Sequence, residues 1–162
     1  MKILIFSDTH GKTDKMCEII NKNKLSTDLV IHLGDNYKDI DSIRNLFPEC
    51  AFLGVCGNCD YIRNDKYPQS SHITLEGHTF FFTHGHMQCV KTHGFSLLIA
   101  QAKKVGASTV LFGHTHKGLM KEEDGINLFN PGSLTDARDY SGGSYGVITV
   151  KSGKCKYEII KI

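Results

Sequence analysis

The stretch that decides the fold is KILIFSDTHG, residues 2–11. An apolar run of strand length leads directly into Asp8 and His10, and Gly11 allows a turn immediately afterwards. A strand that delivers a carboxylate and an imidazole to its carboxyl end is typical of layered α/β proteins, whose ligands bind at that edge of the sheet. If other strands end in the same way, their polar side chains converge on one place.

Four more apolar runs end in the same kinds of residue. The five polar ends are Ser7-Asp8-Thr9-His10, Gly34-Asp35-Asn36, Gly57-Asn58-Cys59-Asp60, His84-Gly85-His86 and Gly113-His114-Thr115-His116. Taken singly, each cluster also fits a helix cap, a turn or an exposed strand face. Their recurrence at five strand ends predicts a single site built from all of them.

The hydrophobic pattern predicts the elements that carry these clusters. We expect strands at residues 2–7, 28–35, 51–55 and 108–114, a pair of strands joined at Glu76-Gly77-His78, and C-terminal hairpins with turns at Asp124-Gly125 and Ser152-Gly153. Apolar spacing predicts helices through Met16 to about Lys24, around Ile40 to Phe47, and from Thr92 to Val105. Strand–helix alternation followed by hairpins favours two mixed sheets packed together, with helices outside.

Composition narrows the class of protein. The 162 residues contain no repeat or linker, so we expect one domain. The net charge is +2 with scattered Lys and Arg, which argues against a nucleic-acid partner. The apolar runs are shorter than the roughly 20 residues of a membrane span. With no secretion pattern, we expect a cytoplasmic protein whose six cysteines are thiols.

Seven of the side chains at the strand ends are candidate metal ligands. They are Asp8, His10, Asp35, Asn58, His84, His114 and His116. Carboxylate, amide and imidazole groups without obligatory thiolate suit Mn²⁺, Fe²⁺ or an open Zn²⁺ site better than a closed structural zinc. Seven ligands exceed one tetrahedral ion and suit two ions that share a bridging carboxylate.

The other histidines receive different interpretations. His32 lies inside a strand and is expected to be a core residue with a hydrogen-bonded ring. His72, His78 and His93 are expected at surface or turn positions. His86 follows a ligand candidate by two residues, which favours a contact with substrate or with a ligand.

As a set, the motifs resemble the calcineurin-like metallophosphoesterase superfamily, and its small YfcE-type phosphodiesterases in particular. The pattern D-x-H, G-D, G-N-[HC]-[DE], H-G-H and G-H-T-H is complete here, and Asn130-Pro131-Gly132-Ser133 is also typical of the small members. The resemblance spans Met1 to Ser133, and the last hairpin fits the family's second sheet. It implies a four-layer α/β/β/α sandwich, with residues 1–162 as a single domain of this family.

The resemblance also implies a dinuclear centre and a reaction. Asp8, His10 and His116 would hold one divalent ion, Asn58, His84 and His114 the other, and Asp35 would bridge them. A hydroxide between the ions would attack a phosphodiester. Mn²⁺ is expected first, with Ni, Fe, Zn or Co as alternatives, and the substrate is a small phosphoester. Asn58, Cys59 and His86 are the catalytic candidates, and a homodimer or higher homo-oligomer stays open.

Cys59 departs from many relatives, which carry a His at this position that is proposed to protonate the leaving group. A thiol beside two cations tends toward thiolate, which is a poor proton donor. We therefore expect aryl phosphodiesters, with good leaving groups, to be preferred over alkyl esters.

Other functions stay open at this point. The retromer subunit that shares this fold suggests a non-catalytic protein-binding scaffold, although that subunit departs from the full ligand set. Within the enzyme class, a small nuclease, a phosphomonoesterase and a protein phosphatase are alternatives. Cys56 and Cys59 could also form a thiol–disulfide centre, but residues 60–69 make a poor helix to activate a thiol. Arg63, Arg138 and Lys38 are further candidates for phosphate contacts.

Overall fold

The computed structural model describes residues 1–60, 66–139 and 142–162. Within this part of the chain, ten strands form two mixed five-stranded sheets, accompanied by three α-helices and two short 3₁₀ helices. The strands are β1 Lys2–Phe6, β2 Leu29–His32, β3 Ala51–Gly54, β4 Ser70–Leu75, β5 His78–Thr83, β6 Thr109–Leu111, β7 Gly118–Glu123, β8 Ile126–Pro131, β9 Ser144–Lys151 and β10 Lys154–Lys161. The helices are α1 Thr13–Asn23, α2 Lys38–Ile43 and α3 Ser96–Lys104, with 3₁₀ turns at Lys24–Ser26 and Arg44–Leu46.

Each sheet combines three parallel strands with antiparallel neighbours. The first sheet has the order β10-β9-β1-β2-β3, in which β1, β2 and β3 are parallel. The second has the order β4-β5-β6-β8-β7, in which β5, β6 and β8 are parallel. The hairpins β4–β5, β7–β8 and β9–β10 supply antiparallel pairs, and β9 also pairs antiparallel with β1. The last hairpin therefore extends the first sheet and does not lie in the second one as expected, because β9 hydrogen-bonds to the free edge of β1.

The parallel register brings the polar strand ends together. In the first sheet Phe6 pairs with His32, and His32 pairs with Gly54. In the second sheet Phe82 pairs with Leu111, which pairs with Phe129. Because each row is the last or nearly the last of its strand, the residues that follow leave both sheets at the same edge.

Three apolar layers hold the four structural layers together. The central one lies between the sheets and includes Ile5, Ile31, Phe80, Phe82 and Leu111. An outer cluster packs α1 and α2 on the first sheet, and another packs α3 on the second. The expected four-layer α/β/β/α sandwich is confirmed.

The predicted elements are present, with differences at their ends. The strand expected at residues 28–35 is limited to Leu29–His32, because the chain turns at Gly34, where φ is +95°. The helix expected from Thr92 begins at Ser96, since Gly94 adopts a φ of +69° that an α-helix excludes. The turns at Glu76-Gly77, Asp124-Gly125 and Ser152-Gly153 join antiparallel strands as predicted.

Among the helices of the described residues, none is both long and apolar enough to span a membrane.

Candidate metal centre

The first group of candidate ligands lies where the loops after β1, β2 and β6 meet. Asp8, His10, Asp35 and His116 each offer one ligand atom, and these four atoms all lie within 4.8 Å of one another. The two carboxylates and His116 are buried, whereas His10 is exposed. The arrangement has the composition and the size of a site for one divalent ion.

A second group adjoins the first through Asp35. The Nε2 atom of His84 lies 3.2 Å from the Asn58 side-chain oxygen and 3.5 Å from Asp35 Oδ1. The ring of His114 lies 5.0 Å from that of His84, centroid to centroid, and meets it edge-on. All seven predicted ligand candidates therefore surround one place, with Asp35 between the two groups.

Two imidazoles show what kind of ligand the cluster suits. His84 Nδ1 lies 2.7 Å from the Leu33 carbonyl oxygen, and His116 Nδ1 lies 2.8 Å from that of Asp136. Each Nδ1 therefore carries a hydrogen, so the Nε2 of a neutral ring presents a lone pair to the cluster. His116 Nε2 lies 3.0 Å from Asp8 Oδ1, a buried oxygen without a hydrogen bond in the described residues. Acceptor faces acceptor, and a cation fits between such atoms.

The pKa shifts of the buried ligand candidates also indicate that the cluster favours positive charge. Burial raises the pKa of Asp8 and of Asp35, but nearby His116 and His84 outweigh it, so both carboxyls have a pKa below the usual range. Burial lowers the pKa of each of these two histidines, but the carboxylates outweigh it and raise the pKa overall. The cluster thus favours added positive charge, which a proton on either histidine or a bound divalent ion would supply.

His114 differs from the other two imidazoles. Burial, followed by the charges of His84 and Lys91, lowers its pKa to about 4. It is therefore neutral at pH 7 and has a lone pair available for a ligand bond. Lys91, whose Nζ lies 3.5 Å from His114 Nδ1, was not identified from the sequence.

The loops that carry the ligands are strained. Five of the seven candidates have positive φ: Asp8 (54°), His10 (47°), Asp35 (57°), His114 (66°) and His116 (61°). Residues with a Cβ rarely adopt this region, and such strain persists only where the surroundings enforce it. No residue pattern in the sequence signals this conformation.

Gly57 permits the closest approach in the site. A Cβ at this position would lie 2.2 Å from Asp35 Oδ1 and 2.3 Å from the Asp35 nitrogen. Both atoms belong to a loop that several other contacts hold in place, so a side chain here would displace the shared carboxylate. This explains physically why glycine precedes Asn58 in the motif.

Asp60 is the functional residue that sequence reasoning left without a role. Its carboxylate accepts four backbone N–H groups, those of Asp35 (3.0 Å), Asn36 (2.9 Å), Tyr37 (3.1 Å) and Gly57 (2.7 Å). It therefore joins the loop after β2 to the loop after β3. Its position at the end of the G-N-[HC]-[DE] motif is the sequence feature that could have indicated this role.

Asn130 and Ser133 hold the remaining loops. Asn130 Nδ2 donates to the Gly113 carbonyl oxygen (2.9 Å), and Ser133 Oγ donates to that of Asp8 (2.9 Å). The motif at residues 130–133 thus connects the loop after β6 to the loop after β1. These contacts explain why Asn and Ser stand at the ends of the 130–133 motif, which was identified from the sequence only as typical of the family's small members.

The other catalytic candidates lie beside the second ligand group. The ring of His86 is 5.3 Å from that of His84 and 6.2 Å from that of His114, and its buried Nδ1 has no hydrogen-bond partner in the described residues. The Cys59 backbone N–H donates to Asp35 Oδ1 at 2.8 Å. Burial, followed by the charge of Asp35, raises the pKa of the Cys59 thiol to about 11. The protein alone thus favours the neutral thiol, and the expected thiolate requires nearby cations.

The remaining predictions have mixed outcomes. Cys56 is buried and its thiol donates to the Tyr67 carbonyl oxygen at 2.6 Å, as expected for a packing residue. Lys38 and Arg138 are exposed, and Arg138 lies 3.7 Å from the Asp136 carboxylate. Arg63 lies outside the described residues, as does the rest of residues 61–65, within the segment 60–69 that was expected to make a poor helix.

Asp60→Asn is expected to weaken divalent metal binding by about 10- to 100-fold, the usual effect of losing a group that orients ligands. The amide has one acceptor oxygen for four N–H groups, and its own NH₂ would face some of them. Calorimetric titration with Mn²⁺ measures the change, and Asp124→Asn in an exposed hairpin turn is the matched control. Equal affinities for Asp60→Asn and the control would contradict the assigned role.

Comparison with known proteins places this geometry in a family. The domain profile described as the calcineurin-like phosphoesterase superfamily domain matches residues 1–153. A phosphodiesterase of Methanocaldococcus jannaschii is 33% identical over 150 residues, covering 82% of this chain and 83% of the relative. Vacuolar protein sorting-associated protein 29 of Schizosaccharomyces pombe is 36% identical over 147 residues, covering 87% of this chain and 76% of the relative.

A solved structure extends the likeness to the fold. A crystal structure from Streptococcus pneumoniae, described as that of a phosphoesterase, superposes with a TM-score of 0.81 and covers 99% of this chain and 88% of that one. At 23% identity this likeness concerns the fold alone. The domain profile and the two relatives decide the family, and the chain belongs to the calcineurin-like phosphoesterase superfamily.

Proposed function

We propose that the protein is a metal-dependent phosphodiesterase with a dinuclear centre. The observation that carries the proposal is the presence of two groups of acceptor atoms that share Asp35. One group includes a buried carboxylate oxygen that accepts no hydrogen bond from the residues that the structure describes. The family supports hydrolysis of phosphoester bonds, and a 33% identical relative is a phosphodiesterase.

The two groups divide into two ligand sets. Asp8, His10 and His116 would hold one ion, and Asn58, His84 and His114 the other, with Asp35 contributing to both. Mn²⁺ is our first choice because the set is rich in imidazole and carboxylate, while Ni, Fe, Zn and Co suit the same donors. When bound, two divalent ions lower the pKa of water and neutralise charge on phosphoryl oxygens.

The protein's own groups orient the substrate. Asn58 is exposed and its side-chain oxygen faces His84, so its NH₂ group can donate to a phosphoryl oxygen, which a carboxylate could not do. His86 presents a half-buried ring beside the second ligand set. Cys59 is exposed next to Asp35, at the motif position where many relatives carry a His that is proposed to protonate the leaving group.

The wider setting completes the proposal. Residues 1–162 form one phosphoesterase domain that acts on a small phosphoester. No disulfide joins the six cysteines, all of which lie in the described part of the chain, and this supports a reducing compartment such as the cytoplasm.

A non-catalytic scaffold is the second candidate, favoured by the 36% identity to a vacuolar protein sorting-associated protein. Phosphodiesterase activity is the better-supported function because all seven ligand candidates are present and lie together. A small nuclease or a phosphomonoesterase would use the same centre, and a panel of substrates separates these enzymes.

Asp35→Asn and His114→Gln are expected to lower Mn²⁺-dependent hydrolysis of bis(p-nitrophenyl) phosphate by at least about 100-fold, because each removes a direct ligand. Asp124→Asn and His72→Gln make the same chemical changes at exposed positions and should keep wild-type rates. If the wild-type protein with Mn²⁺, Ni²⁺, Fe²⁺, Zn²⁺ or Co²⁺ hydrolyses no phosphoester, the scaffold function replaces the enzyme.

Cys59→His is expected to raise turnover of alkyl phosphodiesters relative to aryl ones, by about 10-fold or more if the imidazole acts as a general acid. A poor leaving group needs a proton in the transition state, whereas p-nitrophenolate does not. The measurement is the ratio of kcat/KM for an alkyl and an aryl diester in both proteins, with Cys89→His at an exposed cysteine as the control. An unchanged ratio would rule out a proton-transfer role for this position.

A further inference from the structure

Thr9 occupies the variable position of the D-x-H motif, yet its side chain is fully buried and bonded on two sides. Its Oγ1 donates to Asp39 Oδ2 at 2.5 Å and lies 2.9 Å from His32 Nε2. All three side chains are at most 5% exposed. The motif gives no chemical reason for a buried hydroxyl at this point.

The hydrogens of this network have one consistent arrangement. Thr9 has a single O–H, which it donates to the Asp39 carboxylate, so His32 Nε2–H must donate to Thr9 Oγ1. His32 Nδ1 is then bare, and it accepts the Gly34 N–H at 3.2 Å. Burial lowers the pKa of His32, in keeping with a neutral ring. His32 is therefore the hydrogen-bonded core residue that the sequence predicted.

The network connects the two loops that carry the first ligand group. We define the Asp8 loop as residues 7–11 and the Asp35 loop as residues 33–37. His32 lies immediately before the Asp35 loop, at the end of β2, and Asp39 lies just after it, in α2. Thr9, in the middle of the Asp8 loop, is bonded to both. Asp39 Oδ2 also accepts the Gly11 N–H at 3.0 Å, so the Asp8 loop is held at two points.

These contacts act where the metal site is least constrained. His10 lies between Thr9 and Gly11, is exposed, and has a φ of 47°. An exposed ligand residue keeps a strained backbone conformation only where contacts with neighbouring residues enforce it. The Asp8 end of the loop is already fixed by a backbone bond from its N–H to the Gly34 carbonyl oxygen, at 3.1 Å. On the His10 side, the Thr9 carbonyl oxygen accepts the Lys12 N–H (3.0 Å) and the Thr135 hydroxyl (3.3 Å). The contacts of the Thr9 hydroxyl and the Gly11 N–H are the ones that join this side to the residues flanking the Asp35 loop.

Asp39 itself faces no cation within 4 Å in the residues that the structure describes. Its charge is balanced by two hydrogen bonds, and it lies directly beneath a loop that offers acceptor groups to a cation. Burying a carboxylate costs free energy unless hydrogen bonds or a cation compensate for it, and here the compensating donors are the Thr9 hydroxyl and the Gly11 N–H, both in the Asp8 loop.

We propose that Thr9, His32 and Asp39 form a clamp that fixes the Asp8 loop against the Asp35 loop and so sets the geometry of the first ion's ligands. The three are positioning residues, since none offers an atom to the ligand cluster. This inference rests on the proposed metal centre and deepens it.

The test compares two threonines. Thr9→Val keeps the shape of the side chain and removes the hydroxyl, while Thr9→Ser keeps the hydroxyl. Thr109→Val is the matched control, because Thr109 is also fully buried and its hydroxyl contacts His78 Nε2 (2.8 Å) and the Tyr157 hydroxyl (2.6 Å). It lies at the amino end of β6, away from the ligand loops.

The Mn²⁺ affinity of each metal-free protein is measured by calorimetric titration, and its stability by the midpoint of thermal unfolding. Thr9→Val should bind the first ion about 10- to 100-fold more weakly, while Thr9→Ser and Thr109→Val keep wild-type affinity. Equal losses in Thr9→Val and Thr109→Val would overturn the clamp, as would wild-type affinity in Thr9→Val. If Thr9→Val does not fold, Asp39→Leu decides in the same way, with weaker binding supporting the clamp and unchanged binding overturning it. A wild-type protein that binds no Mn²⁺ overturns the metal centre itself, and the clamp with it.

Discussion

The rest of the structure depends on one constraint: several hydrogen-bond acceptor atoms of histidine and carboxylate side chains lie close together around Asp35. His84 and His116 each commit Nδ1–H to a backbone carbonyl, which turns a bare Nε2 toward buried carboxylates. Such groups repel one another in a medium that water does not screen. The carboxylates raise the pKa of both histidines, so the cluster favours positive charge, from a proton or from a cation.

The strained backbone conformations that this constraint requires lie in the loops rather than in the strands. Two sheets deliver their parallel strands to one edge, and the ligands then follow in tight turns with positive φ. Hydrogen bonds from residues that are not ligand candidates hold these turns in place. Asp60 binds the loops after β2 and β3, Asn130 and Ser133 bind those after β6 and β1, and Thr9 joins the loops after β1 and β2. The centre is therefore prepared for cations by contacts spread over most of the chain.

Much of this could be predicted from sequence, for physical reasons. Apolar runs locate strands such as β1 and β6, and the residue types after them identify the ligand candidates, because both signals are local. The positive φ of Asp8 or His114 could not be predicted, since the tertiary contacts that impose it come from distant segments. The roles of Asp60 and Thr9 were missed for the same reason, since the cited partners lie 23 to 30 positions away in the chain. The start of α3 was predicted too early, at Thr92 instead of Ser96, because Gly94 lies inside the apolar pattern and adopts a φ that an α-helix excludes.

The most direct test of the account is the position and number of bound ions. Crystals grown with Mn²⁺ and measured at the manganese absorption edge should show two anomalous peaks roughly 3.5–4 Å apart, the spacing of two-metal hydrolases. One peak should contact Asp8, His10 and His116, and the other Asn58, His84 and His114, with the Asp35 carboxylate between them. A single peak, or peaks away from these residues, would contradict the dinuclear centre.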